Sequence, residues 1–270
     1  MNLKDYLQKK ENDCKKREEE FSTYRASCLS CFRPEKSCFC KTLKPFATET
    51  YFCILMHPKE AKKEPLGTGH LSHVCLKNSR IIVDETFDQN LEVQKILNSP
   101  DYFCMLLYPG DHAHNITDHN FTSPLPSHKK RLIFVIDGTW SCAKSMMRES
   151  KTLHNLPRIS FNTSQTSQFK IKQQPAAFCL STIESFYYLL DGLKKWGHEN
   201  ITHEHQVLLE ALDKLVDYQF KCARDPNKKS YRRGCYKEPS ERKASKKWKN
   251  RHVAFDEKNY THLKRTNHSF

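Results

Sequence analysis

Four short apolar runs constrain this chain more than any other feature: residues 51–56 (YFCILM), 80–83 (RIIV), 102–108 (YFCMLLY) and 131–136 (RLIFVI). Each has the length of a strand. None alternates with polar residues as a strand with one wet face does, so each predicts a strand covered on both sides. Weaker runs lie near 159–161 and 176–180. Residues 69–77, 89–98, 141–155, 181–196 and 203–221 carry helix-like spacing between and after them. Strands alternating with helices predict an α/β fold, a mostly parallel sheet with helices on both faces. The polar stretch 111–130, with Pro124 and Pro126, reads as a loop or insertion. Residues 1–20 are charged and read as a solvated helix.

Composition narrows the choice of ligand. The 270 residues include only seven glycines. Gly67-Thr-Gly69 begins like a dinucleotide-binding loop, but Ser72 stands where its third glycine belongs, and no glycine pair fits a P-loop. Any nucleoside-like cofactor must be held by another architecture. No stretch approaches the ~20 apolar residues of a membrane span. The first twenty residues lack the apolar centre of a signal peptide and are too acidic for a transit peptide. The expectation is a soluble protein with no membrane partner, in the cytoplasm, or in the nucleus of a eukaryote. Its oligomeric state stays open.

The net charge of +14 is concentrated at one end. Residues 221–270 hold 16 Lys and Arg against 5 Asp and Glu, and so carry most of the excess. Such a segment suits a polyanion, nucleic acid or an acidic surface, or serves only as a solvated tail. Paired cations interleaved with Tyr231, Tyr236 and Trp248 suit phosphate contacts and base stacking, and a disordered tail with incidental aromatics is the alternative.

Four of the twelve cysteines are clustered as Cys28-x2-Cys31-x6-Cys38-x-Cys40. Four thiolates at this spacing make a structural zinc site that leaves no open coordination position. Reduced free thiols or two disulfides are the alternatives. Cys53, Cys75, Cys104 and Cys179 lie in apolar runs or on helix faces and read as small core residues.

Strand ends carry the remaining chemistry. The run 131–136 stops at Asp137-Gly138-Thr139-Trp140, and ligands of open parallel sheets bind at such carboxyl ends. Asp137 and Thr139 are equally candidates for capping the next helix. The run 102–108 leads into Pro109-Gly110, and 51–56 leads into His57-Pro58-Lys59-Glu60. Ser181-Thr182-Ile183-Glu184 has capping-box spacing, so either capping or ligand contact explains it.

Together these residues resemble the DTW-domain family. The resemblance rests on Asp137-Gly-Thr-Trp140 with Ala143-Lys144, the Cys28/Cys31/Pro34/Cys38/Cys40 cluster, His57-Pro58-x-Glu60, Leu107-Tyr-Pro-Gly110 and Leu180-Ser-Thr-Ile-Glu184, in family order over about residues 25–215. This chain has Gly67-Thr-Gly-His70 where the family carries Asn/Thr-Ala-Arg, and Ser185 where it carries Ala.

The resemblance implies a tRNA-uridine aminocarboxypropyltransferase with a SPOUT-like, knotted cofactor domain. Such enzymes move the 3-amino-3-carboxypropyl group of S-adenosylmethionine to N3 of a tRNA uridine. On this expectation residues 1–24 form the charged helix, 25–45 a Zn2+-binding knuckle, 46–221 the catalytic domain and 222–270 a basic, partly disordered tail. Asp137, Thr139 and Trp140 are the catalytic candidates, with Asp137 as general base and Trp140 either stacking on a base or packing in the core. Leu107, Tyr108, Pro109, Gly110, Gly138, Ser181, Thr182 and Glu184 are the cofactor-binding candidates. His57 and Lys144 are the substrate-binding candidates, Lys144 alternatively lying on a solvated helix face. A SPOUT-type RNA methyltransferase, a related ribosomal-RNA aminocarboxypropyltransferase and a non-catalytic zinc-ribbon RNA-binding protein are the competing readings.

Overall fold

The computed structural model describes residues 28–63, 67–110, 112–124, 126, 128–171 and 179–225, with Gln8, Glu11, Asn12, Lys15 and Ala26. Its strands are β1 (Tyr51–Met56), β2 (Ser79–Val83), β3 (Tyr102–Leu107), β4 (His114–Asn115), β5 (Lys130–Asp137) and β6 (Arg158–Ser160). They form one six-stranded sheet in the order β2-β1-β5-β3-β6-β4, and every pairing is parallel. The helices are α1 (Pro58–Lys63), α2 (Thr68–Cys75), α3 (Leu91–Leu97), α4 (Trp140–Glu149), α5 (Lys151–His154), α6 (Thr182–Lys195) and α7 (Gln206–Arg224). None of the described helices is long and apolar enough to cross a membrane.

The period of two along each strand builds both cores. Phe52 and Ile54 of β1, Met105 of β3, and Ile133 and Val135 of β5 share one cluster with Leu71 and Cys75 of α2 and the apolar stripes of α6 and α7. Their neighbours Cys53, Leu55, Leu106, Leu132 and Phe134 share the other, against Val93 of α3, Met146 and Met147 of α4 and Leu153 of α5. Both faces of the central strands are therefore dry, which is why their sequences show no polar alternation.

Several elements differ from the sequence reading. The helical stretch at 141–155 is two helices broken at Ser150, whose buried hydroxyl accepts the Phe87 N–H at 3.1 Å. The loop at 111–130 contributes the edge strand β4, paired with β6 through Asn115 and Ser160. Pro58 opens a short helix, where its missing N–H costs nothing. In the run at 176–180, Cys179 and Leu180 lie in no strand, and 176–178 fall outside the described residues. Residues 226–270 and most of 1–24 also fall outside them.

Topology sets the position of the site. β1 connects outward to β2 on one side, the chain then crosses to β3, and β5 fills the gap between β1 and β3. Such reversals in strand order open a crevice at the strand ends. Here Met56 pairs with Asp137 and Leu107 with both Val135 and Ile159, so four strand ends meet at one rim.

Candidate functional site

Asp137 closes the central strand β5 and is buried. Its carbonyl accepts the His57 N–H at 3.0 Å, carrying the β1–β5 pairing one residue beyond β1. Its Oδ1 accepts the Thr182 hydroxyl at 2.6 Å. Thr182 is the first residue of α6, so the carboxylate lies where the helix dipole favours negative charge. Gly69 of α2 presses on the same carboxylate: a Cβ there would stand 2.4 Å from Oδ2 and 2.5 Å from Cγ. Three elements thus fix one acid, and glycine is the residue that permits the third to approach.

A cleft of about 180 Å³ opens beside it. Leu107, Tyr108 and Pro109 form one wall, with Gly138, Trp140 and Ala143 another. The segment 160–163 after β6, with Leu180, Thr182 and Ser185, completes the lining. Carbon predominates in these walls. Gly110 lies just outside and makes room for Arg158, whose Nη1 would be 2.8 Å from a Cβ at that position. The Arg158 guanidinium carbon stands 5.6 Å from the centroid of the Tyr108 ring, which puts a cation at the mouth.

The other sequence candidates stand around this cleft rather than in its walls. Thr139 is the N-cap of α4, its hydroxyl accepting the Cys142 N–H at 3.3 Å. Ser181 and Glu184 form the capping box of α6. The Glu184 carboxylate also accepts the Ser167 hydroxyl at 2.7 Å and the Gln168 N–H at 2.6 Å. It therefore ties the loop that follows the cleft-lining 160–163 to the start of α6. His57 lies beneath the Asp137–Gly138 turn, its Cβ 3.5 Å from where a Cβ on Gly138 would be. Its Nδ1 accepts the Lys59 N–H at 3.0 Å, which leaves Nε2 to carry the proton, 3.9 Å from Glu85 Oε1. Lys144 is half-buried on α4. Sequence reading overlooked Gly69, Arg158, Phe161, Asn162 and Thr163. The only local signal for the last three is their place directly after a strand.

A second constellation lies on the N-terminal side. The sulfur atoms of Cys28, Cys31, Cys38 and Cys40 all lie within 4.8 Å of one another. Cys31 Sγ and Cys38 Sγ are 3.7 Å apart. Thiolates about 2.3 Å from a tetrahedral Zn2+ are separated by about 3.8 Å, so the donor set fits the ion. The turn is held by hydrogen bonds from Cys28 N to Arg33 O (2.7 Å) and Phe32 N to Cys28 O (2.8 Å), with Phe32 at φ 57°. The backbone N–H groups of Cys31 and Ser30 hold the Cys28 thiol well below its ordinary value, at about 6. This cluster could hold a metal ion.

The family model of the DTW domain matches residues 25–220, from just before the cysteine cluster to within α7. The chain belongs to the DTW-domain family. Its curated relatives include the mouse tRNA-uridine aminocarboxypropyltransferase 2, 34% identical over 206 residues, which are 74% of this chain and 65% of that protein. The macaque protein of that name is 31% identical over 72% of this chain and 64% of its own length. The Drosophila one is 30% identical over 72% and 75%. The chain thus spans slightly less than two thirds of the mouse and macaque relatives. No solved structure matches it. Within this DTW domain both constellations, the cysteine cluster and the strand-end cleft, lie inside the matched span.

Proposed function

We propose that this protein transfers the 3-amino-3-carboxypropyl group of S-adenosylmethionine to N3 of a tRNA uridine, giving acp3U and methylthioadenosine. The observation that carries the proposal is Asp137, a carboxylate clamped at the end of the central strand beside a largely apolar cleft, in a DTW domain. The names of the mouse, macaque and Drosophila relatives support the same reaction.

In this reading the walls formed by Leu107, Tyr108, Pro109 and Gly138 receive the adenosine, with Trp140 stacking on a base. Thr182 completes the lining, and Gly110, Ser181 and Glu184 support those walls from behind. Asp137 takes the N3 proton. The N3 electron pair then attacks the γ-carbon of the methionine arm, the γ-carbon–sulfur bond breaks, and its electrons convert the sulfonium to a neutral thioether. Thr139 holds the turn, while His57 and Lys144 attend the RNA or the cofactor carboxylate. Positioning supplies much of the rate, because the same sulfonium activates three carbons. The knot of the SPOUT-like proteins, a structural Zn2+ on the four cysteines, and tRNA contact through the basic segment after Asp225 complete the proposal.

The test uses purified protein, unmodified tRNA and S-adenosylmethionine labelled in either the carboxyl or the methyl group. Carboxyl label enters RNA and methyl label does not. Methyl label alone in RNA makes the protein a methyltransferase, and label in neither arm with no cofactor binding by calorimetry leaves an RNA-binding module.

A further inference from the structure

Arg33 lies between the second and third cysteines and is only 1% exposed. Its Nε, Nη1 and Nη2 are all buried without a hydrogen-bond partner among the described residues. Two rings enclose it: the guanidinium carbon is 4.4 Å from the centroid of Phe39 and 4.7 Å from that of Tyr218. Ring faces offset only part of the cost of removing a cation from water. A buried charge of this kind demands an anion, and no carboxylate of the described residues pairs with it. The groups that act on it electrostatically are Cys31, Cys38, Cys222 and the Tyr218 hydroxyl.

The missing anion is supplied if the cysteines hold a divalent ion. Four thiolates on such an ion leave a net double negative charge. We infer that Arg33 is the charge-compensating residue of this metal cluster, and that through Tyr218 it couples metal loading to the seating of the C-terminal half of α7. A second tie joins the same parts, because Lys214 of α7 donates to the Thr42 hydroxyl at 2.8 Å. The cage therefore has one wall from the knuckle, Phe39, and one from the helix that leads to the basic segment. Without the ion, the guanidinium is a buried cation with no counter-charge among the described residues, and the cage is loosened. With the thiolates on a metal, it bridges knuckle and helix. This holds whether or not the cleft carries out the proposed transfer.

The full chain tests it, as wild type, Arg33→Met and Arg33→Lys. Zinc affinity is measured by competition with a chromophoric chelator. Arg33→Met keeps an apolar stem between the rings and removes the charge, and weakens zinc about tenfold or more, the loss typical of a group that supports metal ligands. Arg33→Lys retains most of the affinity. Thermal unfolding separates charge from packing. The Met variant raises the Tm of the metal-stripped protein and lowers that of the loaded one, whereas a packing role shifts both the same way. Hydrogen exchange over residues 217–224 slows on zinc loading in the wild type and not in Arg33→Met. Unchanged zinc affinity in the Met variant overturns the compensating role, and α7 exchange indifferent to zinc overturns the coupling. Should the stripped protein not unfold cooperatively, the affinity comparison decides alone.

Discussion

The cysteine knuckle and the strand-end cleft fix side chains in opposite ways. Every ligand of the knuckle lies between Cys28 and Cys40, and two short 3-10 turns with a few backbone hydrogen bonds hold it. Such a unit is too small for a core of its own, and in the proposed reading a metal ion on its four cysteines supplies the missing stability. The cleft draws on β3, β5, β6, α4 and α6, whose residues run from Leu107 to Ser185, and Gly69 adds α2. It is positioned by buried strands and needs no ligand to exist. A local site can be read from spacing but, if it holds the proposed ion, is conditional on it. A distributed site resists sequence reading but is permanent once the sheet forms. If this contrast holds, damage in the cleft affects chemistry at constant fold, and damage in the knuckle affects local order at nearly constant chemistry.

The largest expected effect tests the cleft half. Asp137→Asn preserves shape and an oxygen for the Thr182 hydroxyl, but removes the proposed base. Aminocarboxypropyl transfer falls by about 10²–10⁴-fold, the usual contribution of general-base catalysis. Circular dichroism and cofactor affinity stay near wild type. Retained transfer removes Asp137 from the base role. Next comes Gly69→Ala, a methyl group that must displace the Asp137 carboxylate it would otherwise meet at 2.4 Å. Misplacement of about 1 Å costs about 10²-fold in kcat. A variant with unchanged kcat shows that the clamp on Asp137 is not needed.

Metal removal tests the knuckle half. Chelation speeds hydrogen exchange at residues 28–42, while β1 and β5, buried on both faces, keep their protection. Simultaneous loss of protection in both regions shows that the sheet depends on the ion, and the contrast fails.

How much was legible follows the same division. The interiors of β1, β3 and β5 were readable because both faces are covered and the sequence is continuously apolar. β4 was not, since His114 and Asn115 have no pattern and owe their order to β6. The break at Ser150 was hidden because the helical period runs through it, and its cause, the Phe87 N–H, is 63 residues away. In the site, the position of Asp137 followed from a strand running into Asp-Gly. Gly69 and Arg158 were invisible because their significance is a contact across the fold. Ser181 and Glu184 had two readings from spacing, and the observed hydrogen bonds are those of a capping box reinforced by the 167–168 loop.

The smallest effect probes a contact between the two regions. Phe32, 49% exposed at the tip of the knuckle, meets the ring of His70 edge-on at 5.4 Å between centroids. His70 follows Gly69 in α2, so the knuckle touches the element that clamps Asp137. An edge-to-face pair contributes about 0.5–1.5 kcal/mol. Phe32→Ala therefore lowers the Tm by about 2–4 °C in a protein of this size. The position of α2 is set mainly by Leu71 and Cys75 in the sheet-facing core, not by the exposed ring. The turnover number should stay within about threefold of wild type, because a contact of that strength can shift a rate by no more than about tenfold even if all of it were lost in the transition state. A collapse of kcat at constant Tm would mean that the knuckle, through Phe32 and His70, holds Asp137 in place, and that the two regions are one site.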